Sequence, residues 1–176
     1  MKKVMLLTIF AALMMISSAA VAQTASGTLT VTATVNGSIN LVFNSDAAGV
    51  ALSSGAGTNA ATLAFGNVSA FGAIPAGIVR STTASTFTVS SAVDVLVTKT
   101  NSASANYSLT AQLGAADAVN TWSVGGVAVT NGSAAPITAT GTYAANSNFP
   151  VAITVPFTTA SGTLISNTIN YVATAN

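Results

Sequence analysis

The side chains that carry most protein chemistry are scarce in this chain. It has no histidine and no cysteine, and its acids are Asp46, Asp94 and Asp117 alone. A nucleophilic serine needs a neighbouring base, and the usual imidazole is missing. Zinc-type sites need imidazole or thiolate ligands, which the composition excludes. The three aspartates lie in separate segments without the spacing of a calcium loop, so each reads as a solvated or turn residue. Asp94, set between Val93 and Val95, belongs on the outer face of a strand. Lys99 follows no glycine-rich phosphate loop. The expectation is therefore a protein that is not an enzyme, with no catalytic residues, metal or cofactor.

What remains is hydroxyls and a few rings. Thr28, Thr30, Thr32 and Thr34, with Thr86 and Thr88, form rows at alternate positions. Trp122, Tyr107, Tyr143 and Tyr171 are scattered through separate segments, which suits core and sheet packing better than a sugar-binding platform. Asn36, Asn67, Asn106 and Asn131 begin N-x-Ser sequons, expected by chance in so Asn- and Ser-rich a chain.

These groups must be positioned by strands. Gly27–Asn36 alternates without a fault: Leu29, Val31, Ala33 and Val35 leave on one side, the threonines on the other. Such a segment reads as a strand made to pair with a sheet. Further strands are expected over 39–43, 63–68, 78–79, 86–89, 93–97, 107–113, 122–124, 127–129, 137–143, 150–157 and 168–174. Gly125-Gly126 is a two-residue hairpin signal, Asn36-Gly37-Ser38 a turn or bulge signal, and Asn146–Asn148 a loop. Pro150 and Pro156 are expected to mark the limits of their strand. A short helical turn is conceivable around 115–119, but no segment past the N-terminus sustains a 3.6 period. Many short, turn-punctuated strands predict an all-β sandwich or barrel.

The N-terminus reads as an export signal. Lys2 and Lys3 precede an apolar run over 4–16 and a small-residue stretch ending Ala20-Val21-Ala22. The run is shorter than the roughly 20 residues that span a bilayer. Cleavage after residue 22 would leave Arg80 and Lys99 against three aspartates, so the net charge of +1 comes from the signal. No basic cluster for nucleic acid remains, and no membrane span is expected in the mature chain. High hydrophobicity and very low charge also argue against disorder.

In sequence order, a signal peptide, a T-x-T-x strand, Leu63-Ala-Phe65-Gly66, a valine-rich strand over Val93–Val97, the Tyr-x-Leu strand beginning Asn106-Tyr107 and a final aromatic-bearing strand over 169–174 together resemble pilin subunits of the chaperone–usher class, in the archaic, spore-coat-U-like branch. Many members join an early strand to the valine-rich one by a disulfide; this chain has Ile39 near the first position and no cysteine. The resemblance implies an immunoglobulin-like β-sandwich, incomplete by one strand, with three parts: a signal peptide (1–22), a donor segment (23–36) and a pilin-like domain (37–176). It also implies that Leu29, Val31, Ala33 and Val35 plug a groove in another subunit, lined by Leu41, Phe43, Ile169 and Tyr171. The implied partners are copies of the chain or related pilins, a periplasmic chaperone and an outer-membrane usher. The implied location is periplasm, then cell-surface fimbrium. Two alternatives stay open: the leading segment as an ordinary first strand of its own domain, and the protein as a surface-exposed binding module, either a carbohydrate adhesin or a threonine-array ice binder.

Overall fold

The structure, a computed structural model, describes residues 26 and 28–176; the signal segment expected over 1–22 lies outside them. Contacts divide the chain into two units between Thr34 and Val35. In the first, Thr28–Thr34 belongs to no strand and is exposed throughout. The strand expected over 27–36 is therefore absent as an element. Alternation alone does not make a strand, because the extended backbone needs a partner for its N–H and C=O groups.

The second unit is all-β, without helix among the described residues. Its strands are β1 (Ser38–Ser45), β2 (Val79–Thr82), β3 (Thr86–Thr100), β4 (Tyr107–Leu113), β5 (Thr121–Val124), β6 (Val127–Val129), β7 (Ala135–Gly141), β8 (Asn146–Pro156) and β9 (Ile169–Ala175). They form two antiparallel sheets. One has the order β1-β3-β8-β5-β6, with β2 also on β3; the other is β7-β4-β9. β1 and β2 share one edge of β3, pairing with its later and earlier parts.

β3 is the axis of the larger sheet. The sequence suggests two strands over 86–97, but one strand of 15 residues runs through. Ser91 does not interrupt it, because its buried Oγ accepts the Val50 N–H at 2.7 Å and so meets the cost of burying a hydroxyl. Val89, Val93, Val95 and Val97 face inward from the same strand. Tyr107, Leu109, Ala111 and Leu113 face them from β4, and the two sheets share this core.

Four further expectations are corrected. Asn146–Asn148 is not a loop but the start of β8, where Asn146 and Asn148 donate from the outer face to the Asp94 carboxylate at 3.0 and 3.2 Å. Pro150 lies inside β8, not at its limit. Its missing N–H falls on the β5 side at the level of the Gly125 turn, where its carbonyl still accepts the Gly125 N–H at 2.8 Å, so no ladder bond is lost. Leu63–Val68 forms no strand: only a bridge at Ser54–Thr62 precedes it, and Gly66 turns the backbone with φ +66°. No helical turn forms over 115–119. The Gly125-Gly126 hairpin is present, with φ +58° and +81°, as a primed turn requires.

Candidate functional site

The sheets differ in length. β3 and β8 run 15 and 11 residues, while β4, β7 and β9 run 7 each. The smaller sheet therefore covers only part of the larger one. Beyond it the coils over 59–70 and 159–168 cover the larger sheet, and a cleft of about 1760 Å³ runs between them and the sheet. Its floor is Val89, Val93, Trp122, Val151, Ile153 and Val155, and the coils over 59–70 and 159–168 border it. Leu63, Phe65, Val68 and Ile165 pack from those coils onto the core. All four groove residues expected from the sequence, Leu41, Phe43, Ile169 and Tyr171, line this one cleft.

Two free sheet edges flank it. On β1, the Phe43 N–H donates to the Thr58 carbonyl at 2.9 Å, and the Phe43 carbonyl accepts the Gly57 N–H at 2.7 Å. Phe43 therefore turns its backbone away from β3. In an antiparallel ladder the direction alternates, so Ile39 and Leu41 turn the same way. On β9, the Asn176 N–H donates to the Asn106 carbonyl and the Thr168 carbonyl accepts the Gly114 N–H. Even-numbered residues of β9 thus face β4, and Ile169, Tyr171 and Ala173 face away. Among the described residues, Ile39, Leu41, Ile169, Tyr171 and Ala173 have no strand partner on that side.

The same residues carry half-buried apolar side chains, while the alternate positions Asn40, Asn170, Val172 and Thr174 are exposed. This follows from strand geometry, in which residues sharing an edge direction also share a face. Each edge thus offers unmet backbone groups and apolar side chains together. Phe43 and Tyr171 meet edge to face, ring centroids 5.1 Å apart. Burial pushes the Tyr171 hydroxyl pKa up from its ordinary value.

The expected plugging residues are exposed. Leu29 and Val31 are 88% and 82% exposed, Ala33 is exposed, and Val35, which opens the second unit, is 75% exposed. Asn36-Gly37 makes no primed hairpin turn, since Gly37 is not left-handed. A Cβ on Gly37 would lie 2.7 Å from the Asn101 carbonyl oxygen, so close approach to the chain is what needs a glycine there.

Other groups singled out by type are structural. The Trp122 and Tyr107 rings are buried and offer no face to a sugar. The Thr88 and Thr154 hydroxyls bond each other at 2.7 Å across strands. Burial opposes ionisation of Asp117, but hydrogen bonds from the Asn120 backbone, the Trp122 indole and the Val119 backbone outweigh it and hold the carboxyl at about 2. Asp46 and Asp94 both accept from the Asn148 amide. No group of three potential metal ligands occurs among the described residues.

Sequence reasoning missed the floor of the cleft and the Gly57–Thr58 cap on β1. The alternation of Leu63 and Phe65 was a signal of burial there, though not of a strand. Comparison of the chain with protein-family models, with curated proteins and with solved structures finds no match.

Proposed function

We propose that this chain is a structural subunit of a bacterial surface fibre. It is an immunoglobulin-like sandwich lacking one strand, and the 27–36 segment of one copy fills the cleft of the next. The observation that carries this reading is the pair of free edges facing one cleft, each with apolar side chains on the cleft side. The donor pattern matches: Leu29, Val31, Ala33 and Val35 alternate at strand spacing, and an extended 28–36 segment spans about 30 Å. Each buried Leu or Val side chain contributes about 1.5–3 kcal/mol, with a backbone ladder added.

Register favours a second copy as the donor. A two-residue hairpin at Asn36-Gly37 would pair Val35 with Ser38, Ala33 with Asn40 and Val31 with Val42. Those even-numbered residues already bond β3, and the match would turn the apolar side chains outward. A three-residue loop restores the phase, but over 36–38 it removes Ser38 from β1, where it pairs with Thr100, and over 35–37 it removes Val35 from the apolar row. A fold-back onto β1 that keeps both Ser38 in its strand and Val35 in the apolar row is therefore out of phase.

An unfilled cleft with two open edges is an aggregation hazard. A periplasmic chaperone would cover it after export, and an outer-membrane usher would assemble the fibre. Deletion of residues 23–36 tests the reading. The truncated chain is expected to be exported and folded but to form no polymer; filaments that persist would refute the donor role.

A further inference from the structure

A row of phenylalanines lies beyond one end of the cleft. Phe157 stacks on Phe87 with centroids 6.3 Å apart and planes 17° from parallel, and Phe71 tilts against Phe157 at 5.9 Å. Phe87 lines the cleft, whereas Phe71 and Phe157 are 72% and 39% exposed. An exposed aromatic row on a chain with so little charge is an uncompensated surface unless something covers it. The row is also held in place. The Arg80 guanidinium donates to the Ser69 and Gly72 carbonyls at 2.9 and 2.8 Å, fixing the turn that carries Phe71 outward.

A second observation points to a missing partner at this end. The Thr159 hydroxyl is buried and has no hydrogen-bond partner among the described residues, and Thr159 lines the cleft two residues past Phe157. Buried unpaired hydroxyls are rare in complete structures.

The free edges say which part of a partner arrives here. β1 and β9 run in opposite directions past the cleft: Phe43 meets Tyr171, and Ser38 and Ile39 border Ala173–Ala175. A strand inserted between them is antiparallel to one and parallel to the other. β1 is capped at Phe43 by Gly57 and Thr58, leaving Ile39 and Leu41 free; β9 is free from Ile169 through Ala173. The longer free ladder is on β9, and antiparallel pairing is the better geometry. A strand antiparallel to β9 ends near Ile169, on the side away from Ser38. The chain that follows Val35 of the donor then leaves the cleft toward the phenylalanine row.

We propose that Phe71, Phe157 and Phe87 form a docking face for a second copy of this chain, covered by the donor's Val35–Ser38 and the adjoining end of its domain. This rests on the fibre reading and adds the contact that sets one subunit against the next.

The test uses the mature chain, residues 23–176, purified as polymer and as dilute monomer. Excess peptide of residues 23–36 should cap growth and shorten the wild-type polymer; if it does not, the fibre reading fails and the docking face with it. Phe71→Ser with Phe157→Ser should raise the free-subunit concentration at equilibrium about tenfold or more, and raise the peptide concentration needed for capping by a smaller factor, since the peptide reaches the face only through Val35 and Asn36. An unchanged free-subunit concentration overturns the docking face and leaves the fibre reading standing. Because these substitutions touch packing, a second measurement is needed, and the absence of cysteine makes one simple. Asn36→Cys chains mixed with Thr158→Cys chains should give disulfide-linked dimers on oxidation, whereas Asn36→Cys with Ser102→Cys, at the opposite end, should not. The reverse pattern would overturn the docking face.

Discussion

Phe43 of β1 and Tyr171 of β9 touch edge to face across the gap between the two sheets, their planes at 68°. The contact joins the free edges at one level and leaves the cleft open toward Phe87. Phe43→Ala should lower unfolding free energy by about 2–3 kcal/mol, less than for a fully buried ring because Phe43 is only partly buried. On the fibre reading it should also weaken binding of the 23–36 peptide. Denaturant titration and fluorescence anisotropy measure the two effects separately.

The Tyr171 hydroxyl has its pKa raised by burial. Its contribution to stability is full below the unfolded value of 10.0 and is lost as pH rises beyond it, because the unfolded chain then releases a proton the folded chain keeps. Tyr171→Phe should flatten that alkaline slope in urea midpoints measured from pH 9 upward.

Asp117 has the opposite sign. Held at about 2 against an ordinary 3.8, it stabilises the fold above pH 4 and loses that contribution as pH falls toward 2. Asp117→Asn should cost about 1 kcal/mol or less at neutral pH, because solvent screens a partly exposed carboxylate, and remove part of the acid dependence. Trp122 fluorescence is the natural readout, since its indole donates to this carboxylate at 2.8 Å.

Val31 is 82% exposed, so Val31→Asp should leave the melting temperature of the monomer within a degree or two. On the fibre reading it should abolish polymer, because it places a charge on the plugging face. Thr30→Asp, on the opposite face, should be tolerated. Unboiled gels and negative-stain microscopy distinguish the two.

Gly141 sits under the Tyr107 ring, and a Cβ there would come within 2.2 Å of the ring. Tyr107 is fully buried and bonds Ser147 through its hydroxyl. Gly141→Ala should cost about 2 kcal/mol or more through overpacking. A midpoint unchanged by this substitution would show that the ring moves freely.

Much was determined by local pattern. The alternation of Val93, Val95 and Val97 and of Tyr107, Leu109 and Leu113 specified strands with one buried face, and Gly125-Gly126 specified a hairpin, because side-chain direction and backbone sign are properties of neighbouring residues. The scarcity of reactive side chains needed no structure to see. Tertiary structure alone decided which edges stay open. Gly57 and Thr58 cap Phe43, Gly37 lies against Asn101, and Pro150 keeps its place in β8 because the Gly125 turn spares its missing donor. The perfect alternation of 28–35 likewise made no strand. Hydrogen bonds between strands join residues far apart in the chain, and no local pattern records whether the partner on the far side is present.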